Sequence, residues 1–171
     1  MINKVRDVNA SSTQLLVSFD IQNLYTNIPV DETLDILRKN LQNQGNRDNK
    51  YIDNLIFLLK NVLGQNYFEY NNNFYSQDVG LAMGSPLSSI MAEIFLNEIE
   101  SKNILNNHNS KQADKISQYY RYADDILCIF QGNRRQVKLL SNFLNSIHPN
   151  LQFTTELEKK QLNQRSRSHT H

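Results

Sequence analysis

The stretch Tyr119-Tyr120-Arg121-Tyr122-Ala123-Asp124-Asp125-Ile126-Leu127-Cys128-Ile129-Phe130 constrains the chain most. Aromatic and aliphatic β-formers flank two adjacent aspartates. The run therefore reads as strand, tight turn, strand, with the carboxylates at the turn. Asp is a common turn residue, and an ordinary hairpin explains the dipeptide taken alone. Two like charges beside an apolar run are nevertheless costly. A site that needs concentrated negative charge, such as a divalent metal site, is the chemical alternative.

Bulk properties narrow the setting. A chain of 171 residues, 39% hydrophobic and 20% charged, fits one domain with a real core. The net charge of +1 gives no support to nucleic-acid binding by itself, so local features must carry any such reading. Cys128 is the single cysteine. It excludes an internal disulfide, points to a reducing compartment and reads as a buried core thiol. No segment approaches the ~20 apolar residues of a membrane span. Met1 to Asp7 lacks the apolar core of a secretory signal. A soluble intracellular protein without a membrane partner is expected.

Taken in order, residues 1–14 form a polar N-terminal segment. Leu15 to Ile21 is apolar and β-branched, which suits a strand buried on both faces. Asp20 stands at its end, and Pro29 stops it. Asp31 and Glu32 mark a helix start, followed by Leu34, Leu37 and Leu41 at helical spacing. A second helix is predicted from Lys50 to Leu63, with Ile52, Leu55, Ile56, Leu59 and Leu63 on one core-facing stripe. Tyr67 to Tyr70 and Phe74 to Ser76 flank an Asn run and read as a hairpin. Residues 80–89 carry two glycines and a proline, a shaped loop that opens a helix. That helix is expected to bury Leu87, Ile90, Met91, Ile94, Phe95 and Ile99. Asn103 to Lys115 reads as a polar loop. Val137, Leu140, Phe143, Leu144 and Ile147 mark a further helix, ended by His148-Pro149-Asn150. Leu151 to Leu157 alternates like a half-exposed strand. Residues 158–171 read as a disordered basic tail. The expected fold class is α+β: a small antiparallel sheet with helices on one face. A strand ending at Asp20, laid beside the 119–130 hairpin, would bring Asp20 to the same end of the sheet as Asp124 and Asp125.

Three carboxylates at one sheet edge suit two Mg²⁺ ions, with Mn²⁺ as a substitute. Such a pair serves in-line phosphoryl transfer, which asks mainly for positioning and charge neutralisation. No convincing Ser-His-Asp, Cys-His or P-loop arrangement is present. His108 and His148 stand alone, and His169 and His171 lie in the tail.

Three motifs then resemble the palm motifs of reverse transcriptases. They are Phe19-Asp20 with Tyr25, Gly84 with Ser88 before a helix, and Tyr122-Ala123-Asp124-Asp125. The runs 24–29, 80–88 and 121–125, with His148 to Thr154 leading to Glu156, resemble Penelope-like retroelements in particular. The resemblance covers residues 15–157 as a palm domain, with motif A at 17–29, motif B at 80–90 and motif C at 119–130. It implies an RNA-directed DNA polymerase that transfers nucleotides from dNTPs to a primer 3′-end, with an RNA template and a DNA primer as partners. It also implies a nuclear location. It makes Asp20, Asp124 and Asp125 catalytic and metal-binding, with the carbonyl of Ile21 as a further ligand. Tyr25, Met83, Gly84 and Ser88 are implied at the nucleotide, Tyr25 as a gate against a 2′-hydroxyl. Tyr122, Gly84, Ser85 and Pro86 are implied at primer and template. Met83 replaces the Gln common before the motif B glycine. The family's fingers and thumb have no clear counterpart here, since only 19 residues precede Asp20. A non-catalytic retroelement remnant is one alternative. The other is a small α+β module that binds a divalent ion for structure.

Overall fold

Alternation of burial along the first strand sets the architecture. The structure, a computed structural model, describes residues 14–45, 47–106 and 110–157. The N-terminal segment before Gln14, His108 and the basic tail lie outside the described residues. Strand β1 (Gln14–Ile21) buries Val17, Phe19 and Ile21 and exposes Leu16 and Asp20. The expectation of burial on both faces is therefore corrected. Helices cover one face of the sheet, and β1 keeps an open face.

After β1, Asn23 takes a left-handed backbone (φ 50°) and starts a single helical turn, α1 (Leu24–Asn27). The sequence had marked only the break at Pro29. Helix α2 (Val30–Asn43) begins with Asp31 and Glu32 in its first turn, where carboxylates meet the positive end of the helix dipole. Helix α3 (Asn49–Leu63) turns Ile52, Ile56 and Leu63 inward, as its stripe requires. Strands β2 (Tyr67–Tyr70) and β3 (Asn73–Ser76) pair as an antiparallel hairpin.

Helix α4 (Pro86–Glu100) starts with Pro at its first position, where the missing N–H costs nothing. It buries Ser88, Met91, Ala92, Phe95, Leu96, Ile99 and Glu100. Ile90, expected on that side, is 56% exposed. Apolar residues occur nearly all round this helix, so spacing alone did not select the face that packs. The loop expected over Asn103 to Lys115 is also partly corrected. A π-helical turn (Ser101–Leu105) prolongs α4, a 3₁₀ turn covers Ala113–Lys115, and Ile104 and Ala113 are buried. Strand β4 (Ile116–Tyr122) and strand β5 (Asp125–Gln131) follow. Helix α5 (Arg134–Ile147) opens with a capping box in which Asn133 and Gln136 each accept the other's backbone N–H. Strand β6 (Phe153–Leu157) completes the fold.

The sheet is four-stranded and antiparallel, in the order β4-β5-β1-β6. Phe19, Phe95 and Phe130 are almost fully buried between sheet and helices, each contributing ~1.5–3 kcal/mol by removal of apolar surface from water. The fold is thus α+β, with an antiparallel sheet and helices on one face, as the sequence predicts. No helix among the described residues is long and apolar enough to cross a membrane.

Candidate active site

The ladder between β1 and β5 decides where the acids fall. Its register pairs Phe19 with Ile126 and Asp20 with Asp125. Side chains alternate across a strand, so the buried pair faces the helices and the acid pair takes the open face. Asp124 sits in the turn before β5, and its carbonyl accepts a 3.0 Å hydrogen bond from the Ile21 N–H. All three aspartates are exposed at one end of the sheet. The direct cross-strand neighbour of Asp20 is thus Asp125, with Asp124 one residue further into the turn. Ile21 is buried.

Among the described residues no group of three or more His, Cys, Asp or Glu side chains is gathered as a metal site. The donor set still suits a hard cation by its chemistry. It offers carboxylate oxygens alone, on exposed side chains at one strand end, which Mg²⁺ and Ca²⁺ prefer over nitrogen or sulfur.

The segment after Asp20 is locked to the loop before α4. The Leu81 N–H donates to the Tyr25 carbonyl at 2.7 Å. Gly80 (φ 78°) lies so close to α1 that a Cβ there would stand 2.3 Å from the Thr26 carbonyl oxygen. Only glycine fits both constraints. Ser88 is buried, and its hydroxyl donates to the Ala82 carbonyl at 2.6 Å. Its contribution is to the shape of the loop. Gly84 (φ 89°) and Met83 point the loop's tip to solvent, with nothing near a Cβ at Gly84. Ser85 and Pro86 begin the helix behind it.

Tyr25 and Tyr122 border the same hollow. A cavity of about 390 Å³ is walled by Leu24, Tyr25, Ser89, Leu96, Tyr122 and Ala123, among others. The Tyr25 hydroxyl lies 3.4 Å from Ser89 Oγ. Tyr122 pairs with Asp125 across β4 and β5 and is largely exposed. The cavity therefore opens beside the acid turn.

Reasoning from sequence missed a buried polar network under that turn. Arg121 lies on the helix-covered face of β4, its side chain 6% exposed. Its Nε donates to Glu100 Oε1 at 2.6 Å, one terminal nitrogen to Glu93 Oε2 at 2.8 Å, and the other to Asn97 Oδ1 at 3.1 Å. The nitrogen that meets Glu93 also reaches the Ala123 carbonyl at 3.3 Å. Tyr119 donates its hydroxyl to Glu100 Oε1 at 2.9 Å. Burial disfavours the Arg121 charge, but the hydrogen bonds with Glu93 and Glu100 outweigh it and hold the guanidinium firmly protonated. The Arg121 hydrogen bond in turn lowers the Glu93 carboxyl below its usual range. Burial first, then the nearby Glu100 charge, pushes the Tyr119 hydroxyl up. The available signal was Glu93, Asn97 and Glu100 at i, i+4 and i+7 of one helix, opposite an arginine between two tyrosines.

His148 is not alone either. Its Nε2 lies 3.2 Å from Glu32, its ring meets Phe95 edge-on at 5.0 Å, and Nδ1 accepts from the Asn150 N–H. Asn150 donates to the Asn27 carbonyl at 3.1 Å. This segment ties β6 back to the chain that follows Asp20. Cys128 is buried in β5, and desolvation pushes its thiol up to about 12, as befits a core thiol.

The chain is similar to the COX1/OXI3 intron 2 protein of Saccharomyces cerevisiae, 22% identical over 191 aligned positions that cover 84% of this chain and 21% of that protein. It thus spans about a fifth of that relative's length. Among solved structures, it resembles apo telomerase from Candida tropicalis truncated from its C-terminal domain. There the TM-score is 0.47 at 12% identity, over 85% of this chain and 31% of that one. The family model for reverse transcriptase (RNA-dependent DNA polymerase) matches residues 3–168, nearly the whole chain. With that match over the acid-bearing strands, the loop and the helix behind it, the chain belongs to the reverse transcriptase family.

Proposed function

We propose that this chain is the palm portion of an RNA-directed DNA polymerase, adding nucleotides from dNTPs to a DNA primer on an RNA template. The observation that carries the reading is the register of β1 against β5, which sets Asp20 opposite Asp125 with Asp124 bonded to Ile21 at the same end. Asp20, Asp124 and Asp125 hold divalent cations in this reading, Mg²⁺ or Mn²⁺, with the Ile21 carbonyl as a further ligand. Two such ions, when bound, neutralise charge on the attacking and leaving oxygens. The chain's own residues do the positioning. Tyr25, anchored through its carbonyl to the loop, places a ring beside the cavity and excludes a 2′-hydroxyl. Met83 and Gly84 meet the incoming nucleotide, and Ser88 keeps their loop in shape. Tyr122, Ser85 and Pro86 lie toward primer and template.

The motif runs at 24–29, 80–88, 121–125 and 148–156 support a Penelope-like retroelement origin within the family, and with it a nuclear site of action. Primer extension on an RNA template with Mg²⁺ tests the polymerase reading. Extension that prefers dNTPs, and that admits ribonucleotides in Tyr25→Val, is the expected outcome. A folded sample that extends nothing, alone or fused to upstream coding sequence, would instead assign the chain to a non-catalytic remnant.

A further inference from the structure

A buried arginine is expensive to keep, and this one spends its whole fork locally. Arg121 sends its three nitrogens to Glu93, Asn97 and Glu100 on α4 and to the carbonyl of Ala123 in the acid turn. Ala123 has a left-handed backbone (φ 53°), a conformation that costs a non-glycine residue energy and persists where its surroundings enforce it. The next carbonyl, that of Asp124, takes the Ile21 N–H. One guanidinium therefore links the helix behind the Gly84 loop to the strained turn, and the turn to the end of β1.

We propose that Arg121 is a positioning residue for the polymerase site. It sets the height of the Asp124-Asp125 turn over α4, and so fixes where these carboxylates stand relative to Asp20. The proposal rests on the palm reading for its catalytic consequence, but the mechanical link stands on its own contacts. Glu100 supplies the buried counter-charge, 7% exposed and shared with Tyr119. Glu93 and Asn97 orient the plane of the guanidinium. A lysine supplies the charge but not the fork, because a single ammonium does not reproduce divergent planar donors. The same geometry places Arg121 at the wall of the cavity that Tyr25 and Tyr122 border. A shift of the turn would therefore move Asp124 and Asp125 relative to Asp20.

Amide hydrogen exchange on the whole chain reads the link without any assay of activity, because the Ile21 amide is held by the Asp124 carbonyl. In Arg121→Lys, Ile21 should exchange about tenfold faster, the loss of roughly one hydrogen bond's worth of protection. The rest of the β1–β5 ladder should keep its protection. Unchanged exchange at Ile21 would overturn the proposal. So would a uniform rise across β1, β4 and β5, which would make Arg121 a general fold contact. If the lysine variant does not fold, Arg121→Met combined with Glu100→Leu removes both buried charges, and the same two readouts apply. In primer extension, Arg121→Lys should lower kcat about tenfold with the KM for dNTP within about twofold, since substrate contacts are left in place. Parental protein that extends no primer, together with selective Ile21 exposure in the variant, would sink the polymerase reading and leave the positioning link intact.

Discussion

Two hairpins in this molecule share a recipe and meet opposite fates. The β4–β5 hairpin and the β2–β3 hairpin are both rich in aromatic residues, and both turn through left-handed backbone. The first turns at Ala123 (φ 53°), the second at Asn71 and Asn72 (φ 52° and 60°). Asn tolerates that region and suits the primed turns that hairpins favour. Ala does not, and its turn is held by Arg121 and Ile21. The β4–β5 hairpin joins β1 and contributes Ile126, Cys128 and Phe130 to the core. Every residue of β2 and β3 is exposed. Local chemistry makes each hairpin, but only pairing with β1 brings one of them alongside Asp20.

The largest test of this contrast is Arg121→Met. It leaves Glu100 buried without its partner, and a loss of ~3–5 kcal/mol in denaturant unfolding is expected, as for other broken buried pairs. A loss below ~1 kcal/mol would show that the network contributes no more than a surface bridge does. Next comes Asp124→Asn. Primer extension should fall by more than ~100-fold as a preorganised charge is lost. Stability should hold or rise, because like charges at the turn are relieved. Unfolding of this variant would instead favour an ion that serves structure.

Alkaline pH should separate the hairpins more gently. The Cys128 thiol, ordinarily near 9, is pushed up to about 12 by burial in β5. Between these values the folded state keeps a proton that the unfolded state has released, so stability must fall as pH rises above 9. The thiol's share of that loss is ~1.4 kcal/mol by pH 10. Urea unfolding from pH 8 to 10 measures it, and Cys128→Ala should flatten the slope. Tyr119, also raised by burial and by Glu100, continues the same trend at higher pH. The smallest effect belongs to β3. Phe74→Ser should change stability by less than ~0.5 kcal/mol, as substitutions away from packed features do, because Phe74 is 78% exposed. A larger loss by thermal melting would mean that the hairpin packs in solution.

Much of the fold could be read from residue patterns. The strand at Leu15 to Ile21, the helices opening near Asp31 and Lys50, and the two hairpins follow from spacing, β-branching and turn residues, and the structure has them all. Two of the differences share one cause. Spacing puts Ile90 inward and buries β1 on both faces, because it says how often an apolar residue recurs, not which neighbour will cover it. The cap at Asn133 and Gln136 is legible in the sequence as an Asn followed three residues later by Gln before an apolar run. The partners of His148 were not legible, because Glu32, Phe95 and Asn27 come from distant parts of the chain.

By itself, the sequence determined the main strands and helices, the turn that carries Asp124 and Asp125, and membership of the reverse transcriptase family, because motifs and local propensities are short-range properties. Only the tertiary structure decided that Asp20 faces Asp125, that Gly80 must be glycine against Thr26, and that Arg121 is buried beneath the acid turn. Each depends on which strand or helix lies alongside. That choice is made by burying one shared core, a property no single stretch possesses.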